Sequence, residues 1–381
     1  MIDRFFTPCP RGLEAALAAE LTALEAEFVT PAEGGVAFAG PRELVYRVNL
    51  ESRLASRVLW QVGHGRYRDD DDLYKLVQKI PWPEHFRGDR TLRVDVAATR
   101  SPLASLEFAT LRIKDAVCDL FRTERGVRPS VDKQRPDIRI HAYLTSREAT
   151  LYLDTSGEPL FKRGYRHDTD AAPLRENLAA GLLALSGWQP DMPLLDPMCG
   201  SGTIVIEAAL MAAQRAPGLG RTFGFQKLAW FDGPVWQRIR QRAHDRVRPE
   251  PSAPTIFASD IDSPALARTA SNAAAAQVRA WLQVSQADVL GRPAPASSGI
   301  LIANPPYGVR LENDARMAAF YPRLGDALKQ RFVGWTACIF TGDLRLAKLI
   351  GLKPSARTPL FNGAIDCRLF RFEIVAGRPS R

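Results

Sequence analysis

Apolar positions in the front of the chain recur at two periods. The run "GLEAALAAELTALEAEF" (12–28) repeats at helical spacing and predicts an amphipathic helix. A glycine hairpin at "GGVAFAG" and a second helix near 41–50 follow it. "RVLWQVG" and "TLRVDVAAT" read as strands, and "DDDDLYKLVQKI" as a helix whose acids sit at its positive end. A long helix covers "LEFATLRIKDAVCDLFRTERG" and stops at Gly126, after which "DIRIHAYLT" and "ATLYLDTSG" form two alternating strands across a polar turn. Strand, helix and paired strands in this order predict small α+β modules, two in series. The four aspartates 69–72 are compatible with a metal, but a solvated helix start accounts for them.

Near residue 158 the pattern changes. "PLFKRGYRHDTDAAPLRENLAAGLLALSGW" is basic and then helical. Strand-like segments then alternate with helical ones: "PLLDP", "TIFASDID", "WLQVSQADV", "GILIANPP", "TACIFTG" and "CRLFRFEIV". That alternation predicts a doubly wound α/β sheet with right-handed crossovers. Ligands of such sheets bind beyond the carboxyl ends of the strands, and several strand ends here carry unusual residues.

The first is "LLDPMCGSGTIVIEAA" (194–209), where an apolar strand ends at Asp196, a turn holds Gly200 and Gly202, and a helix begins at about Thr203. Glycine there lets backbone approach a ligand closely and adopt positive φ. No Gly-Lys-Ser/Thr follows, which excludes a P-loop, and Val205 stands where a dinucleotide fingerprint wants a third small residue. An acid before the turn suits a nucleoside bearing an amino-acid tail better than a pyrophosphate. At the second end, "FASDIDS", Asp260 is placed to accept ribose hydroxyls, and Asp262 either joins it or caps the following helix. In "QADVL", Asp288 is a candidate for an adenine amino group.

The fourth end is "LIANPPYGVRL" (301–311). Two prolines can continue neither a sheet nor an ordinary helical turn. The Asn304 amide oxygen and the Pro305 carbonyl can both accept from a planar exocyclic NH₂, which would aim the nitrogen lone pair at an electrophile. Pro305 and Pro306 stiffen that arrangement, and Tyr307 offers a face on which a flipped base can stack. A sulfonium methyl is the electrophile that fits, since it needs neither a metal nor a strong base.

Charge adds a partner to this picture. The chain of 381 residues carries a net +9, split as 23 basic to 24 acidic residues over 1–160 and 28 to 18 over 161–381. A basic half suits a polyanion such as nucleic acid, although an arginine-rich composition gives the same excess. Lys162, Arg163 and Arg166 lie in the connecting segment and are candidates for RNA contact. No apolar run reaches membrane length, and the amino terminus lacks the layout of a signal peptide. Five scattered cysteines and five dispersed histidines predict reduced thiols, a cytoplasmic setting and no metal.

"DPMCGSGT" together with "NPPYG" resembles the class I S-adenosylmethionine-dependent amino-methyltransferases. The whole chain resembles the THUMP-domain group that methylates guanine N2 in large-subunit ribosomal RNA, the methyltransferase L group. Further matches are "PRGLEAALAAEL" (10–21), "RLASRVL" (53–59), "VDKQRPDIRIHAYL" (131–144), "LDTSGEPLFKRGYR" (153–166) and "APGL" (216–219). The resemblance implies a ferredoxin-like leader (1–58), a THUMP domain that docks RNA (59–157) and a Rossmann-like methyltransferase domain (158–381). It implies that Asp196, Pro197, Cys199, Gly200, Gly202 and Thr203 line the S-adenosylmethionine site. Asp260 and Asp262 would serve the ribose, Asp288 the adenine, and Arg175 and Glu176 the segment closing over the methionine moiety. Asn304 to Tyr307 would take the amine, on 23S rRNA near helix 74 or on a large-subunit precursor. Some members of the group fuse a second enzyme making 7-methylguanine, an activity expected to be absent from a chain ending at Arg381. Asn-Pro-Pro-Tyr also occurs in adenine-N6 DNA methyltransferases and in glutamine-N5 protein methyltransferases. A non-catalytic RNA-binding assembly factor is a further alternative.

Overall fold

The computed structural model describes residues 2–166, 174–305 and 311–376, with side chains from 318 onward in the last stretch. The front elements are β1 (Asp3–Pro8), α1 (Glu14–Ala23), β2 (Glu27–Ala32), β3 (Gly35–Gly40), α2 (Leu44–Glu51), β4 (Leu59–Arg66), α3 (Asp70–Gln78) and α4 (Trp82–His85). They continue with β5 (Leu92–Ala98), α5 (Leu106–Arg125), β6 (Ile138–Leu144) and β7 (Glu148–Asp154). Local chemistry explains the boundaries of two helices. Asp69 caps α3 by accepting the Asp72 N–H at 2.8 Å, which is what the aspartate run does. Ser105 caps α5 in the same way, and Gly126, at φ 67°, ends it in the left-handed region.

All seven front strands form one sheet in the order β2-β3-β1-β4-β7-β6-β5. The expected boundary near residue 58 therefore falls inside a sheet, because β1 pairs antiparallel with β4 (Phe5 opposite Trp60, Phe6 opposite Leu59). Alternating Ile138, Ile140, Ala142 and Leu144 bury one face of β6, whose other neighbour, β5, runs parallel to it.

The compact units also differ from the expected division at residue 157. Residues 221–241 belong with the first unit, and Cys9–Leu17 with the second. Within the first unit, the buried Tyr46 ring lies 4.7 Å from Phe225, 5.7 Å from Trp230 and 6.0 Å from Trp236, and its hydroxyl accepts the Asp232 N–H at 2.9 Å.

The second unit contains α6 (Glu176–Ser186), β8 (Leu194–Asp196) and α7 (Thr203–Ala212), with α8 (Gly233–Asp245) leading back to it. Next come β9 (Ile256–Asp260), α9 (Ser263–Ala275), β10 (Leu282–Gln286), β11 (Gly299–Ala303) and α10 (Leu311–Arg331). The chain continues through β12 (Trp335–Thr341), α11 (Leu346–Leu349), β13 (Ala356–Asn362) and β14 (Ile365–Glu373). The sheet order is β10-β9-β8-β11-β12-β14-β13. Every residue of β8 and β11 is buried, as a parallel sheet covered on both faces requires. The doubly wound sheet is as expected, and one edge adds a feature to it. There β14 runs antiparallel to β12 and closes a hairpin with β13, a strand its sequence did not announce.

Candidate methyl-transfer site

The direction of winding reverses between β8 and β11, which pair directly (Leu195 opposite Leu301), and a crevice forms at such a point. Asp196 ends β8 on one side. Asn304 follows β11 on the other, level with Met198 when that register is continued. Asp260 ends β9, the next strand outward.

The turn after Asp196 is held from several sides. Gly200 and Gly202 have φ of 53° and 85°, which only glycine adopts without strain. Asp260 Oδ2 accepts the Gly200 N–H at 2.9 Å, and its Oδ1 accepts the Asp262 N–H at 3.0 Å. The Ser259 carbonyl accepts the Cys199 N–H. From α9, Thr269 Oγ1 donates to the Gly200 carbonyl at 2.8 Å and Asn272 Nδ2 to the Ser201 carbonyl at 3.0 Å. The sequence reading missed this pair. Its only signal was two polar residues three apart on a helix otherwise rich in alanine. With the Thr269 proton committed to Gly200, the Cys199 thiol donates to Thr269 Oγ1 across 3.6 Å. Burial pushes that thiol far up, so Cys199 packs as a neutral group beneath the turn.

Asp196 is 2% exposed, and burial raises its pKa to about 8, against the pull of the Met198 N–H and with a push from Asp260. Asn304 Oδ1 is buried with no hydrogen-bond partner among the described residues. A buried acceptor left unmade costs about 1–3 kcal/mol, so this oxygen is placed to take a donor that the described residues do not supply. Space also remains open over Gly200, where an added Cβ would meet nothing within 4 Å. Pro305 is buried; Pro306 and Tyr307 lie outside the described residues.

The other expected site residues make local contacts. Asp262 caps α9, accepting the Ala265 N–H at 3.2 Å, and lies 3.8 Å from Arg268. Asp288 is exposed two residues past β10 and accepts the Leu290 N–H at 2.9 Å. Pro197 and Thr203 are buried with the turn. Arg175 is exposed, its guanidinium 5.0 Å from the Phe161 ring centroid, whereas Glu176 is buried and its carboxyl raised by that burial.

The expectation of RNA contact is corrected for two of the three cations in the connecting segment. Arg163 is 7% exposed and pairs with the buried Glu207 at 3.4 Å, to which Tyr165 also donates. Arg166 donates to Thr203 Oγ1 at 2.7 Å and to the Leu174 carbonyl at 3.0 Å, with Glu176 at 3.7 Å. Neither guanidinium is available to a phosphate. Lys162 is exposed. Among the described residues no group of three or more potential metal ligands is found, and no helix is long and apolar enough to cross a membrane.

This strand order, with one reversed strand near the edge and a glycine turn after the first strand, defines an α/β methyltransferase domain. Residues 163–371 match the family described as RMKL-like, methyltransferase domain, residues 67–154 match the THUMP domain, and 4–59 the RlmL ferredoxin-like domain. The chain belongs to this RMKL-like methyltransferase family. It is 41% identical over 374 residues to a Synechocystis protein assigned as an RNA methyltransferase, covering 97% of this chain and 96% of that one. It is 42% identical over 386 residues to the ribosomal RNA large subunit methyltransferase K/L of Syntrophotalea carbinolica, covering 98% of this chain. The match spans only 54% of that relative, so the chain is about half as long as such K/L proteins. The crystal structure of SMU.472, assigned as a methyltransferase and complexed with SAH, matches with a TM-score of 0.90 at 28% identity and covers 99% of both chains.

Proposed function

We propose that the chain methylates the exocyclic N2 amine of a specific guanosine in 23S rRNA, in the helix 74 region, using S-adenosylmethionine. The observation that carries the reading is the buried Asn304 oxygen at the end of β11, without a partner among the described residues and across the crevice from Asp196. Named relatives that act on ribosomal RNA, and the neighbour that holds SAH, support the substrate and cofactor.

The residues fit the cofactor. Asp260, already holding the turn, keeps acceptor capacity for ribose hydroxyls, and the open space over Gly200 admits close approach of a ligand to backbone. Asp196, once ionised, favours a cationic group nearby. When bound, the cofactor supplies a sulfonium methyl. The chain's part is positional. Asn304 Oδ1 and the Pro305 carbonyl accept hydrogen bonds from the two amine N–H groups, which turns the nitrogen lone pair toward the methyl and keeps it out of conjugation with the ring. With the methyl gained by nitrogen, sulfur would keep the electrons of its bond to that carbon and the amine would lose one proton to solvent, while Asn304 Oδ1 and the Pro305 carbonyl would hold the nitrogen in place. Tyr307 is proposed to stack on the base.

The test is incorporation of labelled methyl into rRNA, duplex DNA and protein in parallel. Label in rRNA that resists replacement of guanosine by inosine, which has no N2 amine, would overturn the reading. Label confined to DNA or protein would select the adenine-N6 or glutamine-N5 alternative.

A further inference from the structure

We propose that Arg166 is a positioning residue of the cofactor site: its buried guanidinium holds the Glu176 carboxylate as the acceptor for the ammonium of the cofactor's amino-acid tail. The inference rests on the S-adenosylmethionine reading above and deepens it.

Arg166 joins the openings of two helices. Its side chain is 9% exposed, and its Nη2 donates to the Leu174 carbonyl at 3.0 Å and to Thr203 Oγ1 at 2.7 Å. Leu174 stands just before α6 begins, and Thr203 is the first residue of α7, directly after Gly202. One guanidinium thus steadies the start of α6 against the end of the glycine turn. Both helix starts are positive ends, so a cation buried between them is costly unless an acid stands beside it. Glu176, which opens α6, is that acid. The layout of the turn gives it a ligand. Asp260, assigned above to the ribose, bonds the turn at Gly200, whereas Arg166 brings Glu176 to its other end at Thr203, where the tail of a nucleoside bearing an amino acid would lie.

Two buried ion pairs in this region differ in how tightly they close. Glu207 of α7 accepts from Arg163 Nε and Nη2, both at 3.4 Å, and from the Tyr165 hydroxyl at 3.3 Å. Three donors occupy that carboxylate. Glu176, 8% exposed, faces Arg166 Nε across 3.7 Å, beyond hydrogen-bond distance, and that Nε–H is buried with no hydrogen-bond partner among the described residues. The guanidinium is close enough to favour the charge on Glu176 and too far to occupy its lone pairs. A primary ammonium, with three donors on one positive charge, is the group such a carboxylate accepts. The surrounding charges act in the same sense. Burial raises the Glu176 carboxyl above its usual range; Arg166 is the largest opposing influence, helped by the backbone N–H of Glu176 and by Arg163, while Glu207 adds to the rise. The Tyr165 hydroxyl also faces both acids, and burial keeps it neutral.

The experiment measures binding of SAH, and of 5′-methylthioadenosine, which lacks the amino-acid tail, by calorimetry over a range of pH. Wild type, Arg166→Gln, Glu176→Gln, their double variant and Arg166→Lys are compared. Glu176→Gln should weaken SAH about 10- to 100-fold, the scale of a hydrogen bond to a charged group, and leave methylthioadenosine within about twofold. Arg166→Gln should follow it, and the double variant should lose no more than Glu176→Gln alone, because the two residues act as a unit. Without the guanidinium the Glu176 carboxyl rises further, so Arg166→Gln should reach its full SAH affinity at a higher pH than wild type. Arg166→Lys keeps the charge and should bring that pH back. Unchanged SAH affinity, equal losses on both ligands, or losses that add in the double variant would each overturn the positioning role and leave the cofactor reading intact. Glu176→Gln decides even where Arg166→Gln fails to fold, since wild-type SAH affinity there would overturn the role by itself. A wild-type protein that binds neither ligand would overturn the role and the cofactor reading together.

Discussion

Asp260 Oδ2 accepts the Gly200 N–H at 2.9 Å, so the carboxylate ending one strand fixes the turn that follows its neighbour. Local order depends on this side chain, and under the proposed function the cofactor's ribose does as well. Asp260→Ala should weaken S-adenosylmethionine by about 1.5–3 kcal/mol, the scale of a hydrogen bond to a charged group, and should lower the melting temperature as well. Asp260→Asn can keep its oxygen toward Gly200 but turns its NH₂ toward the Asp262 N–H, so it should restore part of the melting temperature and little of the affinity. Calorimetry and thermal melting on the two variants decide it. Wild-type affinity in both would leave Asp260 as a support for the turn alone.

The two turn glycines should fail in different ways. At Gly202, φ is 85° and an added Cβ would lie 2.8 Å from Thr269 Cγ2, so Gly202→Ala carries backbone strain plus a clash in a buried contact. At Gly200, the space above is open and only the backbone cost of about 1–2 kcal/mol applies. Gly202→Ala should destabilise the protein more, while Gly200→Ala should lose cofactor affinity out of proportion to its small change in melting temperature.

Asn304→Ala should lower methyl transfer on the order of 10²–10³-fold while cofactor affinity stays close to wild type. Removing a buried acceptor that has no partner among the described residues also lifts a desolvation cost, so the variant should melt no lower than wild type. A large fall in melting temperature would show that Asn304 is a structural group.

Asp196 makes a pH signature. Its pKa rises from the ordinary 3.8 to about 8 in the fold, so the folded chain holds that proton more tightly than the unfolded one. The stability linked to it is fully present below about pH 3.8 and is lost as pH rises towards 8. The melting temperature of wild type relative to Asp196→Asn should therefore fall between pH 5 and about 8 and level off above. A cationic ligand favours the ionised carboxyl, so binding below pH 8 should release a proton, seen as a heat that depends on the buffer's ionisation enthalpy. A flat difference across that range would remove the assignment.

A fragment of residues 158–381 should not fold as an independent methyltransferase. It lacks Cys9–Leu17, which belongs to the second unit and whose Leu13 is fully buried, its methyl groups filling the space left by Gly181 on α6. It also carries Phe225, Trp230 and Trp236 without Tyr46, leaving large apolar surfaces uncovered. Circular dichroism and hydrogen exchange should show a loosely ordered, aggregating species. A cooperative melt like that of the full chain would contradict this.

Much of the site was legible because the chemistry of a strand end is local. An apolar run stopped by an acid and glycines, as at Asp196 to Gly202, or by an asparagine and prolines, as at Asn304, announces both the strand and the crevice beyond it. The long helix ending at Gly126 and the alternation of β6 were readable for the same reason, since caps and periodicity act over a few residues.

Long-range pairing decided the rest. Whether Arg163 meets RNA or Glu207 depends on a residue 44 positions away, and burial beside that carboxylate decided for the ion pair. Thr269 grips a carbonyl 69 positions back, and Asp262 proved to be a cap because α9 starts beside it. The joining of β1 to β4 into one sheet, and the transfer of 221–241 to the first unit, left no mark on local pattern. Sequence period specifies which face of an element is apolar, but only tertiary packing specifies what covers that face.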